Sequence, residues 1–176
     1  MSAYLEVRDQ IGSGDIIAFE VSKYAPKISG FIKLFTRENI YHIGIAVWMY
    51  SSEGDRRLFI IQASNGNRQV VPLSLYEDET MQIWAAPCPF SNISEYALQR
   101  IGKVKYAYMD LISIWAKDNL KLSVKNWSGE VCSEMVVKIY GSAGIDLGDK
   151  LSTPQAIINN LKNLGIKQKF YIRKED

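Results

Sequence analysis

The first half of the chain alternates short apolar runs with polar turns. A Gly12-Ser13-Gly14-Asp15 turn leads into Ile16-Ile17-Ala18-Phe19, which predicts a short strand. Residues 24–36 mix Pro26 and Gly30 with Ile28, Phe31, Ile32, Leu34 and Phe35, predicting a loop that runs into a short helix. Residues 42–50 predict a strand, 51–57 with Glu53-Gly54-Asp55 a hairpin turn, and 58–63 the returning strand. Ser64-Asn65-Gly66-Asn67 is a further turn before the apolar positions of 69–73. Residues 81–85 form another strand, ended by Pro87-Cys88-Pro89.

The period then changes. Tyr96, Leu98 and Ile101 predict a helix over 94–104 with Ser94 as its cap, and 108–120 is a second helical stretch. Trp127-Ser128-Gly129 breaks the chain before a helix over 132–140, stopped by Gly141. Ser152-Thr153-Pro154 opens a last helix to about residue 164, with Thr153 as cap and Pro154 at the first helical position. The sum predicts an α+β domain, an antiparallel sheet packed with helices, spanning 1–176 without repeat or linker.

Composition narrows the function classes. The chain has 176 residues, 47% hydrophobic and 23% charged, as expected of one globular domain. A net charge of +2 gives no footprint for nucleic acid. The local cluster Lys162, Lys167, Lys169, Arg173 and Lys174 reads as a solvated end. No apolar run is long enough to span a membrane, and the early charges of the first residues do not suit a secretory signal. The expectation is a protein made in the cytoplasm without stable membrane insertion. One histidine and two cysteines are too few for a zinc site or a disulfide framework, so neither metal nor cofactor is expected.

Those same three residues carry the candidate chemistry. Cys132 falls at a predicted helix start, with Ser128 placed to cap it, where amides and the helix dipole favour a thiolate. Taken alone it reads as a buried structural cysteine. His42 alternates with Gly44 and Ala46 on one strand face, while Ile43, Ile45 and Val47 occupy the other. That small-residue face leaves room for a helix to bring a thiol to the imidazole. Taken alone, His42 reads as a core or edge histidine; the pair is more informative. Gln62 stands inside an apolar strand, where an amide needs a partner if it is buried, and strand pairing would set it beside His42. An exposed edge amide is the other reading. Cys88, between two prolines, reads as structural. The glycine turn at 12–15 lacks the lysine of a phosphate loop, and Ser128 and Ser133 lack a nucleophile elbow.

Gly14-Asp15-Ile16-Ile17, Tyr41-His42-Ile43-Gly44-Ile45, Ile61-Gln62-Ala63 and Val131-Cys132-Ser133-Glu134 occur in that order. Over about residues 12–157 the chain resembles the circularly permuted branch of the NlpC-type papain-like cysteine hydrolases. That branch includes YiiX-like proteins and is related to lecithin retinol acyltransferase; in it the histidine strand precedes the cysteine helix. The resemblance implies Cys132 as nucleophile, His42 as general base and Gln62 as orienting residue. It makes Gly14 and Asp15 a structural turn, and matches Tyr106 and Ser152-Thr153-Pro154 to segments of relatives. Many relatives have glutamate where this chain has Gln62. Tyr41 is a weak candidate for an oxyanion donor beside the Cys132 N–H.

The expected activity is amide hydrolysis through a thioacyl enzyme, with a thiolate–imidazolium pair acting on peptidoglycan-type peptides. The same residues suit a lipid or small-acyl ester hydrolase or transferase, and a third reading is a catalytically silent binding or structural protein. Partners are thus a peptide, cell-wall or acyl substrate. Cell-wall digestion would need delivery by lysis or a phage particle.

Overall fold

The computed structural model describes residues 3–21, 38–50, 54–64, 67–102 and 131–173. The expectations for 24–36 and 108–120, and those resting on Tyr106 and on Trp127-Ser128-Gly129, lie outside these residues. Six strands form one antiparallel sheet: β1 (Ile16–Glu20), β2 (Ile40–Tyr50), β3 (Arg56–Ser64), β4 (Asn67–Pro72), β5 (Met81–Trp84) and β6 (Gln168–Ile172). Their order across the sheet is β4-β3-β2-β1-β5-β6. The described helices are α1 (Ala3–Val7), α2 (Ser94–Gln99), α3 (Cys132–Gly141) and α4 (Pro154–Asn163). The α+β expectation therefore holds.

Both faces of the sheet are covered. Ile16, Ala18, Ile43, Ile45, Val47 and Ile61 pack against Met135, Val136 and Ile139 of α3 and Ile157 and Leu161 of α4. On the other face Ile17, Phe19, Ala46, Leu58 and Ile60 pack against Tyr4 of α1, Ile11 and Leu73. This two-sided burial explains why β1 reads as a continuous apolar run rather than an alternating one. Branched side chains offer more area to a helix than Gly44 and Ala46 do, and α3 lies on the branched stripe.

The expectation that the cysteine helix approaches the small-residue face is thus corrected. That face is filled from within the sheet. A Cβ on Gly44 would stand 2.6 Å from Ile60 Cδ1 and 2.7 Å from the Ile61 carbonyl oxygen. The small residue makes room for a neighbouring strand's side chain, not for a helix.

Two further segments differ. The helix predicted over 94–104 is only Ser94–Gln99, and its cap position is Ile93 without a side-chain bond. Ser94 instead donates to the Ser91 carbonyl. The C-terminal segment read as a solvated end contains β6, whose alternation of Phe170 and Ile172 is masked by flanking charge. Its Lys169 donates to Asp15 Oδ2 at 2.7 Å and to the Gln10 carbonyl at 2.8 Å. The opening of α4 follows the sequence: Thr153 Oγ1 accepts the Ala156 N–H at 3.1 Å.

Candidate active site

Three elements position the candidate residues. β2 carries Tyr41 and His42 near its start, β3 carries Gln62, and α3 carries Cys132 as its first residue. β2 and β3 pair with Ile45 opposite Ile61, which brings His42 and Gln62 together. Gln62 Oε1 lies 2.6 Å from His42 Nε2. An amide oxygen can only accept, so Nε2 carries the ring hydrogen and Nδ1 keeps its lone pair. Gln62 is 0% exposed, and its Nε2 donates to the Tyr76 hydroxyl at 2.7 Å. The imidazole packs against Phe19, ring centroids 5.5 Å apart, and stacks on Tyr41 at 6.2 Å. Desolvation lowers its pKa below the usual 6.5, with the Gln62 bond acting in the opposite direction. It is neutral at pH 7.

Cys132 is 5% exposed and belongs to the helix-side layer. The helix cap is Val131, in extended conformation and without a side-chain bond. The backbone amides of Ile43, Ser133 and Cys132 itself favour the charged sulfur. Burial nevertheless pushes the thiol up to about 11, the three amides acting the other way and losing. The resting groups are therefore a neutral thiol and a neutral imidazole. Burial thus works against the thiolate–imidazolium pair expected from the helix-start position.

The structure brings His42 to Gln62, and it brings Cys132 into the core layer of Ile43, the residue after His42. Among the described residues no hydrogen bond joins the thiol to the imidazole. The sulfur meets β2 from the helix layer, while the imidazole stands in the opposite layer with Phe19 and Tyr76. Alkylation will report this state. In a Cys88→Ala background, iodoacetamide labelling of Cys132 should be slow at pH 6 and rise about tenfold per pH unit towards pH 11, since only the thiolate reacts. A rate already at its plateau between pH 5 and 7 would instead mark a preformed ion pair.

The remaining candidates sort by what they touch. Tyr41 is half-buried, and desolvation raises its phenol pKa, followed by Glu79, Tyr76 and Cys132, so it stays a protonated donor. Gly14 has φ of +93° with the Ala86 methyl 3.2 Å from where its Cβ would be, so glycine is needed there. Asp15 accepts the N–H groups of Gly12 at 2.7 Å and Ala86 at 3.1 Å. Both fit the structural turn. Thr153 donates to Glu38 Oε1 at 2.8 Å, tying the start of α4 to the chain just before β2. Cys88 is partly buried against the helix-side core.

Sequence reasoning missed Tyr76. It ends a 3₁₀ helix (Leu73–Tyr76) in a connecting segment, and its bond to a residue 14 positions earlier leaves no periodic signal. Among the described residues no three histidine, cysteine or acidic side chains group as metal ligands, and no helix is long and apolar enough to cross a membrane. Compared with known proteins, the chain matches no protein-family model and no curated protein sequence.

Proposed function

We propose that the protein is a cysteine-dependent amide hydrolase of the circularly permuted papain-like (NlpC-type) kind, with Cys132 as nucleophile and His42 as base. One observation carries the reading: His42, whose tautomer leaves Nδ1 free, stands next in sequence to Ile43, which shares a core layer with Cys132. The order of elements, histidine strand before cysteine helix, supports the permuted arrangement.

In the proposed reaction the Cys132 proton passes to His42 Nδ1 as the sulfur attacks the substrate carbonyl. The C=O π bond opens onto the oxygen, which the Cys132 N–H and the Tyr41 hydroxyl would face. Collapse breaks the C–N bond, and His42 returns the proton to the leaving amine. Water, deprotonated by the same Nδ1, then cleaves the thioacyl enzyme. Because both groups rest neutral, proton transfer accompanies attack rather than preceding it. The sulfur and the imidazole rest in different layers, so this step requires the start of α3 and the start of β2 to shift towards each other. Peptidoglycan-type peptides are the proposed substrates.

A second reading has its own support. A thiol buried in one layer and an imidazole bonded in the other suit a silent domain in which both are structural. Turnover of peptide amides and acyl esters separates the two. Under the hydrolase reading, Gln62→Ala lowers kcat by about 10- to 10³-fold, less than loss of the nucleophile, because an orienting group supports the base without replacing it. Equal rates for Gln62→Ala and the parent would remove Gln62 from the site. Absence of any turnover by the parent would favour the silent domain.

A further inference from the structure

We propose that Tyr41 is a positioning residue: it is an extra residue inserted in β2, and the insertion carries its ring to the side of the sheet where it walls the His42 imidazole. Only the kinetic consequence rests on the hydrolase reading; the effect on the imidazole stands without it.

The insertion is read from the strand pairing. Phe19 pairs with His42 and Glu20 with Ile40, so Tyr41 has no partner on β1. Beyond it the ladder resumes, the Val21 N–H donating to the Asn39 carbonyl at 2.8 Å. This is a β-bulge of one residue. In an unbroken strand Ile40 and Ile43 would face opposite sides. Here both lie in the helix-side layer. Tyr41 and His42, neighbours in sequence, both stand on the other side with Phe19. Without the bulge, Tyr41 would alternate with His42 and face the helices.

The extra residue thus adds a wall to the imidazole. The Phe19, His42 and Tyr41 rings form a triangle with centroid separations of 5.5, 6.2 and 6.3 Å. Phe19 covers one side of the imidazole and Tyr41 another, while Gln62 holds Nε2. His42 is still partly exposed, so loss of the Tyr41 ring would open it to water. Desolvation is the main influence on its titration, and the Gln62 bond acts against it. The titratable groups around it among the described residues are the Tyr41 and Tyr76 phenols, with Glu79 and Cys132 within electrostatic reach of Tyr41.

His42 is the only histidine, so one set of imidazole signals reports its titration by NMR. The parent midpoint should lie below 6.5. Tyr41→Phe keeps the ring and should keep that midpoint. Tyr41→Ala and deletion of Tyr41 should both move it up towards 6.5. In an ordinary strand a one-residue deletion turns the side chains beyond it to the wrong face. Deletion of Tyr41 should instead leave a folded protein, because Ile40 and His42 then alternate in the register each already holds. The kcat of Tyr41→Ala should be about tenfold below that of Tyr41→Phe, through misplacement of the base. An unchanged midpoint in either folded variant lacking the ring overturns the proposal. So does a deletion variant that does not fold, or a Tyr41→Phe midpoint that moves as far as that of Tyr41→Ala. The titration needs no turnover, so it decides the proposal even if the parent hydrolyses nothing.

Discussion

Cys132→Ala is expected to lower turnover by about 10⁴-fold or more, while Cys88→Ala stays within twofold of the parent. The sulfur of Cys132 is the group that would carry the acyl intermediate, and neither alanine nor water held in its place can do so. The fold should survive, because only one sulfur is removed and Val131, Met135, Val136 and Ile139 keep α3 seated. A small cavity beneath the helix start costs on the order of 1 kcal/mol. Cys88 lies between prolines just ahead of the single-turn 3₁₀ helix Phe90–Asn92, and its thiol packs against the core margin. The measurement is hydrolysis of a panel of peptide amides and activated esters, with circular dichroism to confirm folding. Similar residual rates in the two variants would reject Cys132 as nucleophile.

Asp15→Ala is expected to destabilise the fold by about 3 kcal/mol, the scale seen when one partner of a buried ion pair is removed. Asp15 is almost wholly buried and answers three donors on three separate segments: the Gly12 amide, the Ala86 amide and the Lys169 ammonium. Alanine leaves all three without that acceptor. For a chain of this size the midpoint of thermal unfolding should drop by roughly 10 °C. Lys169→Met should cost much less, since Asp15 retains both amides and the lysine is partly exposed. Thermal unfolding followed by circular dichroism decides, and a fall under about 1 kcal/mol would show that the turn holds without its carboxylate.

Much of this was readable from local pattern. β1, β2, β3 and β5 announce themselves as apolar runs between turn residues, and Thr153-Pro154 states the start of α4 outright. The bond between Gln62 and His42 was also within reach, since an amide in an apolar strand needs a partner and the hairpin supplies one. What escaped depends on contacts distant in sequence. The side of β2 that α3 covers could not be read from alternation, because both faces are buried and Gly44 serves Ile60 rather than a helix. The ionisation of Cys132 turns on desolvation by residues spread over the chain, which outweighs the local helix-end signal. β6 was hidden because an edge strand needs only one buried face, and its exposed Gln168, Lys169 and Tyr171 resemble an unstructured tail.

The placement of β6 has a consequence for biosynthesis. β5 is bounded on one side by β1, and its other edge is satisfied only by residues 168–172. On the ribosome, the remaining strands emerge more than eighty residues before that partner does. Throughout this interval the nascent chain offers a free, apolar strand edge of the kind that recruits other chains. Asp15, waiting for Lys169, is meanwhile a carboxylate whose counter-ion lies 154 residues further along and has not yet been synthesised.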